Sequence, residues 1–455
     1  MIHLEEAIHR ILEQITCLGL ERLSLQQALG RVLGEDIPAP RNIPPWDNSA
    51  MDGYAVRWRD LRAASPGKPV VLKVLADLPA GRTFKGRLGP GEALRIMTGA
   101  PLPRSADTVV QVESTERSGS NVKIFAGPGK GKNIRLAGED VKTGDLVLAK
   151  GTVLQPAHIG MLASFQRSVV YVYQQPRVAI LATGDELLEI DEPLKEGKIV
   201  NSNSYTITAQ VAACGGLPIQ LGIAKDRMED LLSKIQQGLV ADLLVTSGGV
   251  SVGDYDLVKE MLKKLGKINF WKVAMRPGQP LAFGLISGKP LFGLPGNPVS
   301  SMVSFEQFVR PAILKMSGHQ NLFRPTLKAC LREDLEKKAG LVHFIRCRLS
   351  REGEKIYAST TGEQGSGILS SMVKAQGLIV LPRDLARVRA GEEVQIILLD
   401  PMFFHSPLPS YLSLPGGRQK RVDLLAALGY KRRSVAPCSF AHGELAIEPK
   451  RRKKT

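Results

Sequence analysis

Aromatic residues are scarce: they make up 5% of the 455 residues. Proteins that grip nucleic acid strands interleave rings with basic side chains. That pattern is missing here, so a formal net charge of +17 does not by itself make a nucleic-acid binder. Long apolar runs are also lacking. No stretch approaches the ~20 residues that cross a bilayer, and the first ten residues, MIHLEEAIHR, form no signal-peptide core. A soluble cytoplasmic protein with no membrane partner is expected. The five cysteines, Cys17, Cys214, Cys330, Cys347 and Cys438, lie far apart with no C-x-x-C or zinc spacing, which argues for reduced, buried thiols. The seven histidines are scattered, and no Ser–His–Asp or Cys–His nucleophile is evident.

What is present is length and basic charge. At roughly 100–200 residues per domain, the chain holds three or four domains. From Pro401 onward there are 11 Lys/Arg and 3 Asp/Glu. This basic end reads either as a solvated tail or as a contact for an acidic surface. The moderately basic body suits an anionic substrate.

Apolar spacing predicts a helix over 3–17 and a second, capped by Ser24, over 24–33. Residues 68–150 read as short strands separated by Gly and Pro, followed by a helix over 156–165. From Pro176 strands and helices alternate, which means an α/β layer with a mostly parallel sheet. Helices are expected over 202–214, 228–239, 257–266 and 300–315. From Pro325 short strands return at the spacing of a small barrel or sandwich.

Ligands of open α/β sheets sit beyond the carboxyl ends of the strands, and three turns there are unusual. ATGDEL (182–187) carries Thr183, Gly184, Asp185 and Glu186; it is either an acid-rich helix start or part of a site. TSGGVSVGDYD (246–256) places Ser247, Gly248, Gly249 and Ser251, a cradle for an oxyanion, beside Asp254 and Asp256. A carboxylate next to a phosphate calls for a cation between them, so this pairing suggests Mg2+. GLPGNPVSS (293–301) is stiffened by Pro295 and Pro298, freed by Gly293 and Gly296, and followed by Ser300 and Ser301 at an expected helix N-terminus, an anion seat or a rigid turn. In WKVAMRPGQP (271–280), Lys272 and Arg276 would share one strand face. Three N-terminal stretches, PPWDNSAMDGYAV, RIMTGAPLP and GEDV, each read alone as turn chemistry.

Together, in this order, these seven segments resemble the molybdopterin molybdenumtransferase family, which includes bacterial MoeA and the gephyrin E domain. The likeness covers residues 1 to about 400. It implies a multidomain fold: a discontinuous linker domain (1–50 and 140–175), a β-rich domain (51–139), a central α/β molybdopterin-binding domain (176–320) and a C-terminal β-barrel domain (321–400). Residues 401–455 form a basic tail that matches nothing in the family. The implied reaction inserts molybdate into adenylylated molybdopterin, with Mg2+-dependent release of AMP, in a homodimer that also meets other proteins of molybdenum cofactor biosynthesis.

Carried over by position, the resemblance assigns catalysis to Asp52, Asp140, Glu186, Asp226, Asp256, Lys272 and Arg276. The pyrophosphate of such a substrate needs a metal clamp held by carboxylates, which points to Glu186 and Asp256. The resemblance adds Thr98, Pro295, Pro298 and a barrel-domain serine, Ser366 in EQGSG, as substrate contacts, beside Thr183, Gly184, Asp185, Ser247, Gly248, Gly249, Ser251, Gly296, Asn297 and Ser300 from the turns themselves. Asp52, Asp140 and Thr98 would complete the site from the other protomer. Arg276 replaces a lysine of some members, which bears on oxyanion choice. A molybdopterin adenylyltransferase shares the α/β domain and the SGG turn, but not the N-terminal segments or the barrel. A scaffold role would need further domains.

Overall fold

The computed structural model describes residues 1–249 and 267–404. Met1–Leu399 form one compact unit; Asp400–Thr455 form another. In the second, Pro401–Phe404 make a single 3-10 turn. The expected helix over 257–266 and most of the basic tail lie outside the described residues.

The centre of the first unit is a six-stranded sheet. Its order is Leu217–Ala224, Arg177–Thr183, Leu243–Ser247, Lys289–Leu294, Pro280–Ile286 and Lys267–Lys272. The first three pairings are parallel and the last two antiparallel, so the sheet is mixed with a parallel majority. Arg177–Thr183 is buried at every position after the first, as a strand covered on both faces must be. Helices Ser202–Ala213 and Met228–Gly238 cover it. The first is capped by Asn201, whose side chain accepts the Ser204 N–H at 3.2 Å.

The N-terminal region carries a six-stranded sheet ordered Thr108–Gln111, Gly53–Val56, Glu92–Ile96, Val70–Leu78, Asn121–Ile124 and Thr115–Ser118. A separate core is filled from both sides of this insertion, by Ala28, Leu33, Ile37 and Ala39 together with Val141, Leu148, Leu154, Leu162, Val170 and Val172. At the C-terminal end, Val342–Glu352, Lys355–Thr360, Thr326–Leu331, Glu393–Leu398 and Gly377–Leu381 pair in a ring that returns to Val342–Glu352. This is a closed five-stranded barrel. The expected class, α/β with a β-rich N-terminal region and a C-terminal barrel, is therefore observed.

Several local expectations change. The first helix is shorter, Leu4–Glu13, and Leu4, Ala7 and Ile11 pack into the α/β core rather than a separate one. No α-helix forms over 24–33. Leu20–Ser24 pairs antiparallel with Val169–Tyr173, and only Leu25–Gln27 makes a 3-10 turn. Ser24 bonds the Gln27 side chain instead of capping. The spacing of Leu23, Ala28 and Leu33 serves the shared core, where tertiary packing overrides helix signals. The expected helix over 300–315 starts earlier, at Pro298, and runs to Met316 through a π-helical turn, Phe305–Val309. Of the cysteines, Cys214 and Cys347 are buried but Cys17 is exposed. No helix among the described residues is long and apolar enough to cross a membrane.

Candidate active site

The strands Arg177–Thr183, Leu243–Ser247 and Lys289–Leu294 end side by side. Ala182 is in register with Ser247, and Ser247 with Leu294. Their turns, Thr183–Gly184, Gly248–Gly249 and Pro295–Gly296, therefore leave the sheet at one edge, as the sequence suggested. Gly248 has φ +91°, and a Cβ there would lie 2.6 Å from the Thr183 carbonyl oxygen. Only glycine lets the second turn pass so close to the first. Gly296 in turn faces the Gly248 Cα.

Asn203 ties the edge together. Its Nδ2 donates to Ser247 Oγ at 2.8 Å and to the Gly296 carbonyl at 2.7 Å. Among the described residues, seven buried side-chain polar atoms have no hydrogen-bond partner, and three of them belong to this edge: Thr183 Oγ1, Asn203 Oδ1 and Thr246 Oγ1. Buried polar groups are ordinarily satisfied by protein or ordered water, and a ligand or water at this edge would complete the bonding of these three. Asn203 escaped the sequence reading because it sits inside a capped helix start, NSNSY. Its one signal was polarity at the second helical position, on the buried side.

The acids of ATGDEL do not open a helix. They sit in a turn before the two-residue strand Leu187–Leu188. Asp185 and Asp226 each accept the other's backbone N–H, at 3.2 and 3.4 Å. The Glu186 carboxylate folds back over Gly184. All three are exposed. No three His, Cys, Asp or Glu side chains converge to hold a metal among the described residues. Ser251, Asp254 and Asp256 lie outside those residues.

Lys272 and Arg276 do not share a strand face. The strand Lys267–Lys272 ends at Lys272, Met275 turns back to bond the Val273 carbonyl, and Met275–Arg276 pairs with the barrel at Val342–His343. Arg276 then enters a cleft of about 280 Å³ that also takes in Gln279, Ser300, Gln364 and Ser366. Lys272 is exposed outside it. Ser300 and Ser301 do not open the following helix. Pro298 does, behind Asn297. The Val299 N–H is already donated to the Ser366 carbonyl, and Asn297 Nδ2 donates to Ser366 Oγ, both at 3.1 Å. The EQGSG loop of the barrel thus closes directly onto the GNPVS turn.

Behind that loop stands Arg346, 1% exposed. Its guanidinium donates to Ser371 Oγ and the Gly365 carbonyl, both at 3.1 Å, and no carboxylate pairs with it among the described residues. Burial pushes its pKa down to about 10, which still leaves it charged at neutral pH. Gln364 pins the loop by accepting the Arg346 N–H at 2.9 Å. Nothing in the sequence distinguished Arg346 from a surface arginine.

The N-terminal motifs assemble separately. Asp52 accepts both the backbone N–H and the hydroxyl of Thr98 at 2.7 Å. These bonds, the backbone one first, hold its carboxyl below the usual range, with a smaller contribution from Arg95. Asp47 accepts the Ala137 N–H, and the Asp140 N–H bonds the Ile43 carbonyl. PPWDNSAMDGYAV, RIMTGAPLP and GEDV thus meet on one exposed surface. None of the hydrogen bonds of this group reaches the α/β edge among the described residues.

Three family models match in order: the MoeA N-terminal region (domain I and II) over residues 2–165, a probable molybdopterin binding domain over 179–315, and the MoeA C-terminal region (domain IV) over 328–399. A molybdopterin molybdenumtransferase of Haemophilus influenzae is 39% identical over 402 residues, 87% of this chain and 98% of that protein. The chain belongs to the molybdopterin molybdenumtransferase family of enzymes. A relative of the same name from Staphylococcus aureus strain COL is 38% identical over 404 residues, 88% of this chain and 96% of that protein. The crystal structure of the moeA protein of Pyrococcus horikoshii OT3 superposes with a TM-score of 0.76 at 33% identity, covering 88% of this chain and 100% of that one. These likenesses leave the basic end beyond residue 400 unmatched by the family models.

Proposed function

We propose that the protein inserts molybdenum from molybdate into adenylylated molybdopterin and releases AMP. One observation carries this reading: three glycine-bearing turns leave the sheet at one edge, and a cationic cleft adjoins the third of them. A tetrahedral dianion is bound best by hydroxyls and a guanidinium fork without excess charge. Arg276, Ser300 and Ser366 supply these groups in the cleft. Arg346 adds a buried positive charge with no carboxylate against it among the described residues, worth more in a low-dielectric setting than at the surface. The turns at Gly184, Gly248 and Gly296 let backbone approach a pyrophosphate, and Asn203 fixes their spacing. Insertion forms two S–Mo bonds, and one oxo group leaves as water with the two thiol protons; a water then adds across the P–O–P link, leaving the phosphate on the molybdopterin and releasing AMP.

The exposed carboxylates of Asp185, Glu186 and Asp226 fit a hard divalent cation in chemistry. Mg2+ takes only one or two carboxylates and keeps several waters, so a cluster of three is not required. Glu186 would hold it together with Asp256. When bound, Mg2+ neutralises charge on the phosphoryl oxygens of the leaving AMP. Asp185 and Asp226 brace each other across two strand ends and so keep Glu186 at the turn. The reading includes a cytoplasmic homodimer in which Asp52, Thr98 and Asp140 of one protomer serve the α/β edge of its partner, with other proteins of the same biosynthesis as handing-on partners.

The test is AMP release from adenylylated molybdopterin by the purified protein with Mg2+ and molybdate, beside Asp256→Ala. Molybdate-dependent release that is lost in the variant supports the reading. No release by folded protein that binds the substrate overturns it.

A further inference from the structure

A second cleft lies away from the sheet edge. It measures about 520 Å³ and is lined by Leu12, Cys17, Lys150, Tyr173, Lys315 and His319, among others. This is within the range of small-molecule sites, roughly 300–1,000 Å³. One wall comes from the end of the first helix and the segment after Met316, the other from the turn at Lys150–Gly151 and from Tyr173. The seam is closely fitted. Gly318 has φ +79°, and a Cβ there would run into the Tyr173 ring; Gly151 has φ +90° and faces the Gln320 amide. Leu18 N–H and Cys17 Sγ donate to the Met316 and Lys315 carbonyls, at 2.8 and 3.3 Å.

The lining is one-sided in charge. Lys150 Nζ sits 5.9 Å from the centre of the Tyr173 ring, and Lys315 Nζ donates to the Leu12 carbonyl at 2.6 Å. Neither lysine is paired with a carboxylate side chain by a salt bridge among the described residues. Asp36, the nearest acid in the bonding pattern, accepts the Lys150 backbone N–H at 2.7 Å and so anchors the turn. Burial, with Arg310 second, keeps His319 less basic than usual, so it offers a neutral ring at neutral pH. Leu12 and Leu322 supply apolar surface, and Tyr173 and His319 supply rings.

We infer that this cleft binds a small planar aromatic anion, with its ring against Tyr173 and its charge between Lys150 and Lys315. The site is separate from the oxyanion cleft at Arg276, and the inference does not rest on the proposed reaction. Because the two walls belong to two different cores, an occupant would hold the segment around Lys150 and Tyr173 against the α/β unit.

The probe is phenyl phosphate, measured by isothermal titration calorimetry on the full chain, with inorganic phosphate and phenol as its two halves. Besides any phosphate held at the Arg276 cleft, one site per chain is expected at the Lys150 cleft, at least tenfold tighter for phenyl phosphate than for either half. Lys150→Ala and Tyr173→Leu should each weaken it at least fivefold, and Arg276→Ala should leave it unchanged. Bound probe should also protect Lys150 from acetylation, read by mass spectrometry on the wild-type chain, which needs no variant to fold. No binding, equal binding of inorganic phosphate, loss in Arg276→Ala, or no protection of Lys150 would each overturn the inference.

Discussion

Replacing Asn203 probes the link that holds the sheet edge together. The side chain is 9% exposed and acts as a double donor, to Ser247 Oγ and the Gly296 carbonyl. Asn203→Ala strands both acceptors. A stranded buried group costs about 1–3 kcal/mol. The Ser247 hydroxyl can turn to another partner, and Gly296 is exposed and can reach water, so the total should stay near about 1–3 kcal/mol rather than double it. Asn203→Asp keeps the size but replaces the donor with a carboxylate facing the Gly296 carbonyl. It adds an unpaired buried charge, so its cost should reach about 3 kcal/mol or more. It also sets negative charge beside a proposed anion site. The chain has several cores and need not unfold in one step, so the comparison is Ala against Asp in one urea titration and one AMP-release assay. Asp should be the worse variant in both, with kcat/KM at least tenfold below that of Ala, a difference of about 1.4 kcal/mol. An Asp variant as stable and active as wild type would refute the donor role of Asn203.

Four further outcomes follow from the geometry. Gly248→Ala should cost more than tenfold in kcat/KM, because its Cβ meets the Thr183 carbonyl; Gly391→Ala, with φ +89° and open space, controls for backbone strain alone and should keep activity. Glu306→Ala should destabilise the fold by about 3–5 kcal/mol in denaturant, since Glu306, 6% exposed, pairs with Arg324 at 2.6 Å and leaves a part-buried guanidinium uncompensated when removed. Burial first, then Lys337 and Arg276, push His343 down to about 4. The unfolded chain therefore binds the extra proton between about pH 6.5 and 4, and stability falls as pH drops through that window; His343→Gln should flatten this part of a pH–stability curve relative to wild type. Thr98→Val removes one of two donors to Asp52, so an Asp52 carboxyl followed by NMR should titrate at higher pH in the variant.

Much of the architecture was legible because strands and helices differ in period. RVAILATGDEL and ADLLVTSGG announce buried strands that end in glycine turns, and both do so at the same edge. The turns themselves were readable for a related reason: glycine and proline have few uses at a strand end other than a tight turn. Contacts made across the sequence were not readable. The spacing of Leu4, Ala7 and Ile11 gives a helix but not the α/β core it joins. The spacing over 24–33 imitated a helix because the shared core takes side chains at similar intervals from a strand and a 3-10 turn. Lys272 and Arg276 looked like neighbours on one strand, yet Arg276 leaves the sheet to pair with the barrel. Ser366 reaches the cleft, with Arg346 behind it, only because the barrel closes on itself and turns the EQGSG loop toward Asn297. Asn203 was hidden by its position inside a capped helix.

Following molybdenum itself tests the proposed insertion most directly. The purified protein is given adenylylated molybdopterin, Mg2+ and molybdate, and the product is added to a molybdenum-dependent apoenzyme whose activity reports finished cofactor. Wild type should restore activity in proportion to AMP released, and Arg276→Ala should need at least tenfold more molybdate for the same yield. AMP release without restored activity, or restoration equally sensitive to molybdate in the variant, would contradict molybdenum insertion at the cleft between the α/β edge and the barrel.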